Sequence, residues 1–200
     1  MTGLAIALVL GAALIHAGWN YLLKKSGGGI GFVWAFAALS ALFYAPLAAA
    51  VVYLQHFHFS ATALAFILAS AVLHTAYYLL LDRGYRYGDL SVVYPIARGS
   101  APLLAVVIGI AVLGERLTGL QLAGVALLLG GILAVTLPQT SGRATFPALM
   151  TGVAIAAYTA VDRVGVRLTV PWVYGWMLVA VLAVLARLVW PRYIQPRAVY

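Results

Sequence analysis

The chain has 200 residues, of which 65% are hydrophobic and 8% are charged, and its mean hydropathy is +1.05. Soluble globular domains contain about 45–50% apolar and about 25% charged residues, so this composition excludes a soluble domain. The net charge of +8 falls mostly between apolar runs, which is typical of loops at a lipid surface and not of a nucleic-acid-binding face. The absence of cysteine excludes disulfide frameworks and thiol chemistry.

Apolar runs of transmembrane length follow one another along the whole chain. A bilayer core of roughly 30 Å takes about 20 residues of helix, because a backbone in lipid must satisfy its own hydrogen bonds. The first run starts without a basic segment and is too long for a signal-peptide core, so it is interpreted as a retained helix. The sequence predicts an all-α integral membrane protein with seven transmembrane helices, over 2–23, 30–54, 61–82, 90–113, 118–137, 146–163 and 172–190.

Short polar segments separate the predicted helices and leave no room for a soluble domain. Glu115 and Arg116 are interpreted as fixing the turn between helices four and five. Helix four contains Pro95 and Pro102, which remove backbone donors and predict a kink with exposed carbonyls. Helix five contains small residues that we expect to permit close helix packing. These are Gly124, Gly130 and Gly131.

Basic residues are distributed unequally between the two predicted loop faces. Arg116, Arg163 and Arg167 fall on the N-terminal side, and the opposite side receives more of them. The positive-inside rule therefore places the N-terminus outside the cell. The basic residues of the opposite side are Lys24, Lys25, Arg83, Arg86, Arg143, Arg192 and Arg197.

Polar side chains recur at i, i+4 spacing on four of the predicted helices, which stacks them on one face of each helix. Such side chains are costly in lipid, so we expect all four stripes to face one shared interior cavity. The stripes are His16 and Asn20, His74 with Tyr78 and Asp82, Tyr94 and Arg98, and Tyr158 and Asp162.

Arg98 stands out among these residues, because guanidinium stays charged and offers a planar donor fork suited to carboxylate or phosphate. One hypothesis is an anchor for a substrate. The alternatives are an ion pair with Asp162 or Asp82, or a cap on the carbonyls freed by the prolines. The two aspartates lie near helix ends, where pairing with Arg83 or Arg163 competes with a role in proton or cation coupling.

The other members of the stripes admit two interpretations as well. His16 and His74 fit either a proton relay or hydrogen-bonded packing, and neither has a partner at the spacing of a metal site. Five aromatic residues fit a pocket lining, an interfacial belt or core packing equally well. These are Trp19, Tyr77, Tyr78, Tyr94 and Tyr158. No nucleophile elbow, zinc-protease motif or phosphate loop occurs, so we predict neither an enzyme nor an ATP-driven pump, and no cofactor.

Three segments, in this order and spacing, resemble the EamA-type permeases of the drug/metabolite transporter superfamily. They are His16 to Asn20, Gly88 to Gly99, and Gly114 to Leu117. The resemblance covers the first five predicted helices, and Ala157 to Arg163 is similar to the opening of the family's second half. It implies ten helices in two five-helix repeats of opposite topology around a central cavity.

On this resemblance, residues 1–137 form one complete repeat, 138–145 a linker loop, and 146–200 the first two helices of a second, inverted repeat. Helix six then corresponds to helix one, with Asp162 near the position of Asn20. We therefore expect a C-terminally truncated fragment of a longer protein. The family's cytoplasmic N-terminus opposes the charge count, so the orientation stays open.

The predicted function is a multi-pass secondary transporter of the bacterial plasma (inner) membrane, which moves a small organic solute by alternating access. Arg98 would anchor an anionic group of the solute, and Tyr94 and Tyr158 would orient it. The full set of predicted solute-binding residues is His16, Trp19, Asn20, His74, Tyr78, Tyr94, Arg98, Tyr158 and Asp162. The alternative is a non-transporting membrane subunit or inactive fragment, whose bundle a partner or a second copy in a homodimer completes. An intramembrane enzyme is disfavoured by the missing motifs.

Overall fold

The computed structural model describes residues 3–27, 29–55, 60–113, 116–136 and 142–193. Each of the seven predicted apolar runs is helical, and no strand occurs within these ranges, which confirms the all-α class. A 3₁₀ turn over Val166–Leu168 joins the last two helices. The α-helices are α1 (Gly3–Ser26), α2 (Gly29–Leu54), α3 (Ala61–Tyr87), α4 (Leu90–Leu113), α5 (Gly119–Thr136), α6 (Gly142–Gly165) and α7 (Pro171–Tyr193).

Among the described residues, five helices are long and apolar enough to cross a membrane, namely α1, α2, α3, α6 and α7. The chain is therefore a multi-pass integral membrane protein. The apolar part of α5, Gly119–Ala134, is shorter, and α4 is one continuous helix through Pro95 and Pro102.

Two helices extend the furthest beyond their predicted bounds. α3 was expected to end at residue 82 but continues to Tyr87, and α6 was expected to begin at residue 146 but starts at Gly142. The charged residues beyond Asp82 predicted a loop. In the structure an i, i+4 ion pair between Asp82 and Arg86, at 2.8 Å, stabilises the additional helical turn. Asp82 thus pairs with Arg86 and not with Arg83, the partner considered from the sequence.

The helix directions follow from a few close contacts. A Cβ added to Gly88, just beyond α3, would lie 2.6 Å from the Cβ of Ala144 in the first turn of α6. Ser70, earlier in α3, bonds Asp162 near the end of α6, so α3 and α6 are antiparallel. α2 and α7 are also antiparallel. The indole nitrogen of Trp176 donates to the carbonyl of Ala41 at 2.8 Å, and Trp34, earlier in α2, lies against Trp190, later in α7, with ring centroids 5.2 Å apart.

α1 runs in the same direction as α3, because Lys24 at the end of α1 binds carbonyls at the end of α3. Its Nζ donates to the carbonyl oxygens of Tyr85 at 2.5 Å and Gly88 at 2.8 Å. Since α3 and α6 are antiparallel, α1 and α6 have opposite directions. This is the relation that an inverted repeat requires, although the repeat boundaries themselves stay a prediction.

Close packing between helices occurs at glycines other than those predicted. A Cβ at Gly152 of α6 would lie 1.8 Å from Ser100 Oγ of α4, and one at Gly99 would lie 2.0 Å from Ile132 of α5. The prediction for helix five was wrong, because no described atom lies within 4 Å of a Cβ added at its three glycines. α5 packs mainly on α4. Of Gly124, Gly130 and Gly131, the first and the last line open clefts that α5 shares with α4.

Candidate functional site

Arg98 is the centre of a first polar group, the arginine cluster, which consists of Arg98, His16, Tyr77 and Tyr94. Its Nη2 donates to Tyr77 Oη at 3.0 Å and also contacts His16 Nε2. The guanidinium lies over the rings of Tyr77, at 5.6 Å, and Tyr94, at 5.8 Å. Arg98 is half-buried and follows the start of α4 by eight residues, or about 12 Å of helix. Helices α1, α3 and α4 therefore meet at one cation inside the membrane-spanning bundle.

The arginine cluster has no carboxylate partner among the described residues. Arg98 forms no ion pair there, because Asp82 binds Arg86 and Asp162 binds hydroxyl groups elsewhere. The side-chain contacts of Arg98 also go to side chains and not to the carbonyls near the prolines. Neither structural alternative considered from the sequence is realised. The positive charge is thus held by neutral groups.

Asp162 is the centre of a second group, the aspartate cluster, which consists of Asp162, Ser70, His74 and Tyr174. Its Oδ1 accepts hydrogen bonds from Ser70 Oγ at 2.5 Å and from Tyr174 Oη at 2.6 Å. No pairing with Arg163 occurs in the described structure, so the carboxylate is not an ordinary interfacial ion pair. Hydroxyl donors from α3 and α7 hold it instead.

His74 and Tyr158 connect the two clusters. The Nδ1 of His74 lies 3.0 Å from the carbonyl oxygen of Ser70 and 3.2 Å from its Oγ. The imidazole stacks on Tyr158 with centroids 3.9 Å apart, and Tyr158 meets Tyr77 edge-on at 5.8 Å. His74 is the central residue of α3, so the connection lies near the middle of that span. A continuous polar and aromatic string therefore crosses the bundle interior from α4 to α7.

The remaining predicted site residues divide into one that joins the string and two that do not. Tyr78 packs edge-on to Tyr77 at 4.6 Å. Asn20 is 1% exposed and forms hydrogen bonds within the protein that connect α1 to α3. Its Nδ2 donates to the His16 carbonyl, and its Oδ1 accepts from Tyr85 Oη at 3.2 Å. Trp19 lies away from the string, against two rings of α2. These rings are Phe32, at 5.0 Å, and Phe36, at 4.1 Å.

The structure brings seven of the nine predicted residues into one connected group. These are His16, His74, Tyr78, Tyr94, Arg98, Tyr158 and Asp162. Glu115, assigned to the turn between helices four and five, lies outside the described residues, and Arg116 is exposed.

Two residues of the aspartate cluster were missed. Ser70 continues the i, i+4 series of His74, Tyr78 and Asp82 by one more turn, so this signal was present in the sequence. Tyr174 gave no such signal, because α7 carries no polar stripe at that spacing. Sequence reasoning therefore finds side chains that repeat along one helix and misses those that only a neighbouring helix supplies.

The serine, histidine and aspartate of the string are not arranged as in a hydrolase triad. Ser70 is fully buried and donates to Asp162, so the serine lies between His74 and the aspartate. In a hydrolase triad the histidine takes that middle position and the serine faces the substrate. Within the described ranges no three His, Asp or Glu side chains gather as metal ligands. The string offers one fixed cation, one hydroxyl-bound carboxylate and several aromatic faces.

Comparison with known proteins agrees with this architecture. The model of the EamA-like transporter family matches residues 3–137, which is more than half of the 200-residue chain. No curated protein and no solved structure matches the chain. The matched segment contains α1 to α5 and most of the polar string. The resemblance in the sequence is thereby confirmed, and the chain belongs to the EamA-like transporter family.

Proposed function

We propose that this membrane protein moves a small organic anion across the bilayer by alternating access, with Arg98 as the anchor for the anionic group. Family membership supports a membrane transporter, and the solute class and the mechanism are our proposal. The observation that carries it is a half-buried guanidinium inside the bundle with no carboxylate partner among the described residues.

A charge in this position needs compensation, because removing an ion from water costs several kcal/mol or more. His16 and Tyr77 offer lone pairs but no negative charge. His16 and Tyr77 both contact Nη2, and Arg98 also forms a hydrogen bond with Tyr158. A guanidinium has five N–H groups, so the fork still retains donors for a ligand. A carboxylate or phosphate of the solute would supply the missing charge in bidentate geometry.

The aromatic rings around Arg98 support an organic solute over an inorganic anion. Tyr94 and Tyr77 flank the guanidinium, and Tyr158 follows one ring further along the string. Such faces stack on the apolar body of a solute while the cation holds its charged end. Asp162, at the other end of the string, is then available to bind the proton or cation that couples transport to a gradient.

The opposite directions of α1 and α6 support alternating access. Each helix contributes to the string, α1 through His16 and α6 through Tyr158 and Asp162. A rocking motion of the two antiparallel elements about the fixed site would expose it to either side in turn.

The test is uptake by the purified chain in proteoliposomes, with a panel of labelled small carboxylates and organic phosphates beside neutral and cationic compounds of similar size. We expect uptake of anions, and we expect Arg98→Lys to lower it at least about tenfold, because lysine keeps the charge but loses the fork. Arg163→Lys, an exposed arginine at the end of α6, is the matched control and should keep full uptake.

Two outcomes would overturn the proposal. If Arg98→Lys transports anions as well as the wild-type chain, the anchor role is wrong. If no anion of the panel enters, or only cations do, the solute class is wrong.

A further inference from the structure

A second polar feature lies apart from the string, in a cleft between the end of α3 and the start of α6. The cleft has a volume of about 460 Å³. Leu80, Arg83 and Tyr87 of α3 form one wall, and Arg143 and Phe146 of α6 stand opposite. Each wall is one face of one helix, because its residues follow one another at i, i+3 or i, i+4 spacing.

Both arginines of this cleft are exposed and lack an acidic partner among the described residues. Neither Arg83 nor Arg143 forms an ion pair or a side-chain hydrogen bond with another described residue. Asp82 precedes Arg83 in the chain, but its carboxylate binds Arg86 at 2.8 Å. Two uncompensated cations therefore face one cleft.

The depth of the residues indicates an amphiphilic ligand. Both arginines lie at the ends of their spans, at the level of the membrane surface. Arg83 is near the end of Ala61–Tyr87, and Arg143 is at the start of Gly142–Leu168. Leu80 and Phe146 lie about one helical turn deeper, toward the bilayer centre. The side chain of Phe146 is 65% exposed and faces outward. The cleft is thus cationic at its rim and apolar below it.

We propose that this cleft binds an anionic phospholipid, with the lipid phosphate between Arg83 and Arg143 and an acyl chain along Leu80 and Phe146. Basic clefts between transmembrane helices at the interface recognise anionic headgroups, and paired guanidinium groups match the geometry of phosphate. A free phosphate would use the rim alone, whereas the apolar floor continues in the direction that an acyl chain takes. The site is separate from the solute site, so it stands or falls without the proposed function.

The experiment measures lipid retention on the full chain by native mass spectrometry after transfer from nanodiscs that contain equal amounts of phosphatidylglycerol and phosphatidylcholine. We expect the wild-type chain to retain phosphatidylglycerol about tenfold over phosphatidylcholine. Arg83→Gln/Arg143→Gln should lose this preference, and Arg83→Lys/Arg143→Lys should keep part of it. Arg163→Gln/Arg167→Gln is the matched control, because it removes two exposed arginines at the opposite end of α6 and in the 3₁₀ turn that follows it.

Three results would overturn the proposal. The first is an unchanged preference in Arg83→Gln/Arg143→Gln. The second is an equal loss in the control, which would mean general attraction to the basic surface. The third is displacement of the lipid by glycerol 3-phosphate at millimolar concentration, which would assign the rim to a soluble phosphate. Circular dichroism and size exclusion of each variant establish that it is folded, and the single variant Arg143→Gln should show a smaller loss.

Discussion

Replacing Lys24 with methionine tests how α1 is held in the bundle. The polar contacts of α1 form a narrow stripe at i, i+4 spacing, and Trp19 packs beside it on rings of α2. His16 contacts Arg98, Asn20 bonds Tyr85 Oη, and Lys24 binds the carbonyls at the end of α3. Most other α1 side chains are exposed, and Leu14 and Ile15 are 75% and 77% exposed. Lipid solvates those side chains as well as protein does, so we expect the polar contacts to contribute much of the free energy that holds α1 in the bundle.

The expected loss follows from the two hydrogen bonds of Lys24, at 2.5 Å and 2.8 Å. A hydrogen bond to a charged group contributes about 1.5–3 kcal/mol, and a cation at a helix C-terminus about 0.3–1 kcal/mol more. Water at the membrane interface can replace part of this, and measured interhelical hydrogen bonds in lipid average about 0.6 kcal/mol. We therefore expect Lys24→Met to destabilise the fold by about 1–3 kcal/mol.

The measurement is equilibrium unfolding in bicelles by titration with a denaturing detergent, beside Lys25→Met as the matched control. Lys25 is exposed, and within the part of the chain that the structure describes its Nζ lies over the ring of Tyr21 on its own helix, at 5.7 Å. Because the chain has no cysteine, spin labels introduced on α1 and α3 would report separation of the two helices directly. Free energies of unfolding that agree within about 0.5 kcal/mol between the two variants would refute the role of Lys24 in holding α1.

Two further predictions concern packing. Asn20→Ala and Tyr85→Phe should be coupled in a double-mutant cycle by about 0.6 kcal/mol or more, because the two side chains share a buried hydrogen bond of 3.2 Å. Strictly additive losses of unfolding free energy would contradict that bond. Gly152→Val should lower the free energy of unfolding by about 1–3 kcal/mol in the same assay, because the new side chain would enter the contact with Ser100. The control Gly124→Val should change it by less than about 0.5 kcal/mol. Equal losses in the two variants would show that the α4–α6 contact is misplaced.

Much of the candidate site was predictable from spacing alone. The series His74 and Tyr78, the pair Tyr94 and Arg98, and the pair Tyr158 and Asp162 each repeat every fourth residue, and a polar face in lipid must turn inward. The same rule applied to His16. Trp19 was proposed as an aromatic lining residue and not from this spacing. It directly precedes Asn20, and adjacent residues on a helix point about 100° apart, so its ring lies against α2.

The partners of these side chains were not predictable. An aspartate next to an arginine in the chain suggests an ion pair, yet Asp162 binds Ser70, 92 residues away, and Tyr174 on α7. Glycines on an apolar helix suggest close packing, yet it is Gly99 and Gly152 that bring helices together and not the glycines of α5. In each case the deciding contact depends on which helix lies alongside.

The sequence by itself determined that this protein lies in a lipid bilayer, that it is helical, and which family it belongs to. A bilayer allows only backbones that satisfy their own hydrogen bonds over about 20 residues, so composition and run length were sufficient for the first two. The tertiary structure decided which helix faces meet, that Arg98 has no carboxylate partner among the described residues, and that Asp162 is held by hydroxyl groups. Lipid is as apolar as leucine, so hydrophobicity along a helix does not specify its neighbours. Contacts between distant side chains specify them, and these exist only once the bundle has formed.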